Sequence, residues 1–262
     1  MSESILDIDD LLETRDDPRF IAGVFNYCHR RCERCPFTNR CRLYADEQQD
    51  LQAHPDDAWS DRVHRSFQRT FEMIRQWCAR EGIDVEAIRA ESRSATVAAD
   101  LRISDDTRHD PLQTLAEQYT FAAMKLTEGL RRALLFNTWP EAAHEALETV
   151  EWFAIRVSSK VHRALAGYVR RKEEEADCGI DPVQSDWNGS AKVARLDIAE
   201  SRAAWNVLLT EGQAAPDLPI CQMIDLLDRI DAGVAERFPR AMDFIRPGFD
   251  DPEMVAVAAS TL

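Results

Sequence analysis

A chain of 262 residues with 45% hydrophobic content is long enough to bury a sizeable core, as a main domain with an appendage. Its formal net charge of −15 sets a mean field that repels phosphate, which argues against nucleic acid and against an anionic membrane surface. No apolar run approaches the roughly 18 residues of a membrane span, and the acidic start lacks a signal-peptide pattern, so the chain reads as cytoplasmic.

Taken in order, residues 3–14 pattern as a short acidic amphipathic helix on Ile5, Ile8, Leu11 and Leu12, stopped by Asp16-Asp17-Pro18. Phe20 to Tyr27 leads into a stretch, Cys28 to Cys41, that packs four of the seven cysteines into fourteen residues. If Cys28 to Cys35 is helical, offsets of four and seven put Cys28, Cys32 and Cys35 on one face, and Pro36 then breaks the helix so that Cys41 can fold back. The polar run from Asp46 to Asp57 reads as a linker. Trp59, Val63, Phe67, Phe71, Ile74 and Trp77 recur every three to four positions and predict an amphipathic helix over Trp59 to Arg80.

Gly82 punctuates that helix, and a second helical piece is expected from Asp84 to Leu101, followed by a polar break through Ser104 to Pro111. Pro111 after Asp110 is a helix start, with an apolar stripe running to about Asn137. Thr138-Trp-Pro-Glu opens a helix of more than thirty residues on Ala143, Leu147, Val150, Ala154, Val157, Val161, Leu165 and Tyr168. After a loop at 177–189, in which Asn188 is the expected cap, further helices are predicted from Ser190 to Gly212 and from Pro219 to Phe238. The tail from Pro247 reads as loosely held.

No segment alternates like a strand, so the fold is expected to be all-α. Four long helices suggest a four-helix-bundle-like core with an extra C-terminal helix. The expected division is a four-Cys metal module in residues 1–55 and a helical bundle domain in residues 56–262. Trp59, Trp77, Trp152 and Trp205 are expected in the core.

The four cysteines carry the chemistry. Three residues separate Cys28 from Cys32, two separate Cys32 from Cys35, and five separate Cys35 from Cys41, which gathers four soft ligands at little loop-closure cost. In a reducing compartment such a cluster reads as metal-binding, while Cys78, Cys178 and Cys221 read as small buried residues. Four thiolates suit either zinc or a [4Fe–4S] cluster. The close spacing of three cysteines and the proline after Cys35 favour iron and sulfur. So does a local excess of five arginines over Glu33 between residues 26 and 44, because it would balance the negative charge of a cluster. The first three cysteines also match the spacing of the radical S-adenosylmethionine enzymes, but those resemble a β/α barrel, and no strands are predicted here.

A second, carboxylate-rich site is conceivable within the bundle. Wheel arithmetic puts Asp197 and Glu200 in the apolar stripe of their helix, and His144, Glu148 and Glu151 at offsets of four and seven on the preceding one. Burying an unpaired carboxylate costs several kcal/mol, so inward acids must be ion-paired or bound to metal. A buried ion-pair network is the simpler expectation, with Lys125, Lys160 or Arg163 as counter-charges. A di-metal site is the alternative. The functional expectation is an iron–sulfur redox or electron-transfer protein with a redox or other protein partner, and a long amphipathic bundle also suits a homodimer. A zinc-stapled interaction module without catalytic activity is the other reading.

Overall fold

The computed structural model describes residues 17–92, 96–134, 138–174, 181–212 and 217–251. The expected helix over residues 3–14 and Cys178 lie outside them. Among the described residues there are eight α-helices, several short 3-10 turns and no strand, as the absence of alternating patterns predicts. The chain divides into two compact units, Met1–Ala99 with Arg246–Leu262 and Asp100–Ile245.

In the first unit, helix α1 is Arg42–Ala53, α2 is Trp59–Arg80 and α3 is Val85–Ser92. Helix α1 replaces most of the expected linker: its residues are polar, but Leu43, Tyr44 and Leu51 recur at helical spacing within it. Helix α4, Thr96–Arg108, runs through most of the expected polar break. The four helices of the second unit are α5, Pro111–Leu134, α6, Glu141–Glu174, α7, Asp186–Glu211, and α8, Asp217–Arg237.

Those four close a ring in which α5 packs on α6, α6 on α7, α7 on α8, and α8 back on α5. Every neighbour is antiparallel, since Arg131 pairs with Glu151 while Thr120 reaches Ser158, and Arg163 pairs with Asp186 while Arg156 pairs with Asp197. Arg195 pairs with Asp231 and Arg202 with Asp228 in the same sense across α7 and α8. The last helix is therefore a wall of the bundle rather than an addition to it. Its buried face, Ile220, Met223, Leu227, Ile230 and Val234, is a stripe as complete as any other in the ring.

The longest helix shows why the bundle forms. Ala143, Leu147, Val150, Ala154, Val157, Val161 and Ala164 are all buried and alternate steps of four and three, which is the knobs-into-holes seam of a left-handed bundle. Small residues on that seam let neighbouring backbones approach closely. The same economy appears at Gly233 of α8, where an added Cβ would lie 2.8 Å from Cδ1 of Leu112 on α5. Asp110 caps α5 by accepting the Leu112 N–H at 2.8 Å and also pairs with Arg237 of α8.

Helix α7 begins four residues before the expected Ser190. Ser185 is the residue that precedes it, and Asn188, expected as its cap, instead donates from Nδ2 to the Pro182 carbonyl at 2.8 Å. Trp205 is buried as expected, but Trp59, Trp77 and Trp152 are exposed. Helical spacing identifies a face without saying whether anything covers it.

Candidate metal centre

The cysteine stretch lies in the first unit as a chain of tight turns rather than as a helix. Short 3-10 turns occupy Val24–Asn26, Cys32–Arg34 and Thr38–Arg40. Arg30 adopts a left-handed φ of 57°, which interrupts any helix between Cys28 and Cys32 and is unfavourable for a residue with a Cβ. Cys35 closes the second turn, its N–H donating to the Cys32 carbonyl at 3.2 Å, and Cys41 closes the third by donating to Thr38 at 3.3 Å. Cys41 then leads directly into α1. The expected one-face helix over Cys28 to Cys35 is thus replaced by a bend at Arg30 and a single 3-10 turn at Cys32–Arg34.

A miniature core supports these turns. Val24 and Phe37 are buried, and the Phe249 ring meets Phe37 edge to face at 5.1 Å. Gly248, at a φ of +78°, sits so close that an added Cβ would lie 3.2 Å from Ile21 and 3.4 Å from Val24. The Ile21 N–H donates to the Arg40 carbonyl at 2.9 Å. Arg246 forms a two-pronged pair with Asp250 and lies over the Phe249 ring. The described part of the C-terminal tail is therefore fixed, contrary to expectation. Its anchor is an aromatic contact across more than two hundred residues, which periodicity within a segment does not register.

Cys28, Cys32, Cys35 and Cys41 are all partly buried and none is in a disulfide. Burial pushes the Cys32 thiol above its usual range, helped by Glu47 and opposed by Arg30, and the thiols of Cys28 and Cys35 are near enough to contribute. Burial likewise raises Cys35, against a hydrogen bond from the Phe37 backbone, with Cys28 and Cys41 close enough to add to the shift. The four sulfurs thus share one neighbourhood electrostatically. They do not form a closed ligand set: among the described residues no group of three or more His, Cys, Asp or Glu side chains is placed to hold a metal ion. The electrostatic influence reaches farther than a coordination bond, so the two observations describe thiols that are neighbours without having converged.

The basic island is partly neutralised from nearby. Arg30 pairs with Glu47 at 3.0 Å, Arg31 with Glu33 at 3.1 Å, and Arg42 with Asp46 at 2.8 Å. Two of these acids belong to α1, the helix that replaced the expected linker.

The five bundle candidates do not gather. Asp197 is fully buried and pairs with Arg156 at 3.2 Å, while Glu151 is held by Arg131 of α5. His144, Glu148 and Glu200 are exposed, and the His144 ring nitrogen lies 3.1 Å from the Pro140 carbonyl. The inward acid is therefore met by an ion pair, with Arg156 as the counter-charge. Arg163 pairs with Asp186 instead. Lys160, one turn beyond Arg156, has its ammonium pushed below the usual range by burial and by the neighbouring Arg156 and Arg163.

Two buried polar features escape a reading by periodicity. Tyr119 of α5 shares a hydrogen bond with Ser201 and accepts one from the Trp205 indole at 3.2 Å, both partners lying diagonally across the bundle on α7. Lys192 of α7 donates to the carbonyls of Met242 and Phe244 at 3.2 and 2.6 Å, which fixes the turn Ala241–Asp243 that follows α8. A lysine in the middle of an apolar stripe, at Val193 minus one, is the only sequence signal of the second.

The described residues define an all-helical protein whose cysteine segment lies in the first of its two units. No protein-family model matches the chain, and no curated protein or solved structure matches it either. Among the described residues no helix is long and apolar enough to cross a membrane.

Proposed function

We propose that the protein is an iron–sulfur protein, with Cys28, Cys32, Cys35 and Cys41 as ligands of a [4Fe–4S] cluster and a role in electron transfer to a protein partner. The observation that carries this reading is the electrostatic neighbourhood of four thiols outside any disulfide, with Cys32 opening one tight turn and Cys35 and Cys41 closing two. Such a donor set fits the cluster, because thiolates are its normal ligands and short turns supply their spacing. When bound, the cluster would take up and release single electrons.

The chain's own groups would support that role in identifiable ways. Arg30 and Arg31 lie in the turn between the first two ligands and would offset the negative charge of the thiolates. Phe37, Val24 and Phe249 would supply a dry wall on one side, which raises the electrostatic sensitivity of the site to nearby charge. The partial exposure of the cysteines leaves another side open for a partner.

Zinc held by the same four thiols, stapling the appendage without redox chemistry, is the second reading, and the tetrahedral appetite of zinc for four thiolates favours it on the same residues. Serine substitutions separate a shared site from a set of unrelated cysteines. Cys28→Ser, Cys32→Ser, Cys35→Ser and Cys41→Ser should each abolish stable metal binding, whereas Cys78→Ser and Cys221→Ser should leave it intact. Metal content independent of all four cysteines would sink both readings.

A further inference from the structure

Helix α2 packs with its aromatic side outward. Trp59, Phe67, Phe71, Ile74 and Trp77 are between 47% and 73% exposed. The charged side is the one held within the unit, since Arg65 pairs with Asp50 at 2.9 Å and with Asp57 at 2.7 Å, and Arg69 with Asp50 at 3.1 Å. Trp59 and Trp77 lie about five full turns apart and so share one side of the helix. Phe67, Phe71 and Ile74 fill that side between them. An uncovered aromatic face of this size marks an interaction surface.

The face is complementary to itself when two copies of α2 run antiparallel. In a pair centred at the level of Gln68, Trp59 meets Trp77 of the second copy at both ends, and Phe67 and Phe71 sit beside the axis. Asp61 and Arg75, both exposed, lie within about 40° of each other on one flank of the helix, and the same register sets Asp61 level with Arg75 of the second copy. Arg75 also contacts Glu72 of its own helix at 3.0 Å, with its side chain still 69% exposed. Arg62, on the other flank, comes level with Ile74 rather than with a charge. A parallel pair would instead set Asp61 against Asp61, Arg62 against Arg62 and Arg75 against Arg75, an arrangement that like-charge repulsion opposes.

We propose that the aromatic face of α2 binds the same face of a second copy of the chain, with the two helices antiparallel about a two-fold axis at the level of Gln68. At their exposures the five side chains offer on the order of 600 Å² per copy. Two copies together then bury about 1,200 Å², which reaches the lower end of stable, specific interfaces. Apolar burial supplies the affinity, and the two symmetry-related contacts between Asp61 and Arg75 fix the direction.

Sedimentation velocity of the reduced full chain over a concentration series tests this. A monomer–dimer equilibrium is expected, weakened more than about tenfold by Phe67→Ser with Phe71→Ser, while far-UV circular dichroism stays unchanged because both positions are exposed. Asp61→Arg and Arg75→Asp should each weaken the dimer about tenfold by setting like charges against each other, and the chain carrying both should dimerise within a few-fold of the unaltered one. A chain that is monomeric at every concentration overturns the proposal. So does a dimer that the serine substitutions leave intact. A double swap no tighter than the single swaps also overturns it, because restoration is the mark of the antiparallel register.

Discussion

Phe249 meets Phe37 with its ring at 88° and 5.1 Å, and that contact joins the end of the described chain to the turn that separates Cys35 from Cys41. The two rings lie with Val24 and Ile21 in an apolar support beside the cysteine segment. Retention of the proposed metal group should therefore depend on a residue with no ligand chemistry. Phe249→Ala should loosen the turns and speed metal loss to a chelator several-fold, while Phe249→Leu, which keeps most of the apolar volume, should have a smaller effect. Truncating Phe37, which is more deeply buried, should cost about 3 kcal/mol if the first unit unfolds as a unit. Chelator-transfer rates with thermal unfolding check both.

The pair between Arg156 and Asp197 accounts for the buried acid of the bundle. Arg156→Ala leaves Asp197 in the core without its salt bridge and should destabilise the bundle by about 3 kcal/mol. Replacing both residues, Arg156→Met with Asp197→Leu, should cost much less, because no charge is then left behind. Urea unfolding of the single and double variants measures the difference.

At the centre of the bundle, burial raises the Tyr119 phenol to about 12 despite the hydrogen bonds to Ser201 and Trp205. A raised folded-state value means the neutral phenol is favoured by folding. Its contribution is complete below the unfolded value near 10 and is lost as pH rises through the folded value. Stability should therefore fall between about pH 10 and pH 12, and Tyr119→Phe should flatten that part of the curve at a cost of about 1 kcal/mol at neutral pH. Denaturant midpoints across alkaline pH read it out.

The acid limb has a different source. Burial tends to raise the Asp50 carboxyl, but the guanidiniums of Arg65 and Arg69 outweigh it and hold the group below the usual carboxylate range. With the folded-state value depressed, the stabilisation is present above about pH 4 and disappears as pH falls through the folded value. The tie between α1 and α2 should loosen there, seen as faster exchange in α1, and Asp50→Asn should produce the same loosening at neutral pH.

Periodicity made the bundle legible. The four-three repeat from Ala143 to Ala164 and the Asp110-Pro111 start are local patterns, and a helix seam is a local cause. The cysteine segment was legible as a cluster of thiols but not as a set of turns, because the left-handed Arg30 and the Phe37–Phe249 contact depend on the backbone closing and on a distant residue. Asp197 was rightly placed inward by the same arithmetic that misplaced Glu200: three residues turn a helix through about 300°, so one edge of a stripe can be buried while the other reaches water. The counter-charge was missed because Arg156 sits on the flank of its own stripe. Helix α1 was missed because its apolar residues are few and its charged residues dominate the pattern.

The proposed [4Fe–4S] cluster on Cys28, Cys32, Cys35 and Cys41 has a stoichiometry and a colour of its own. The most direct measurement is iron, acid-labile sulfide and zinc content of the full chain purified without oxygen, with its visible absorption. The expected result is a brown protein with about four iron and about four sulfide per chain, bleached by dithionite. A colourless protein with a single zinc, or none of these, would contradict it.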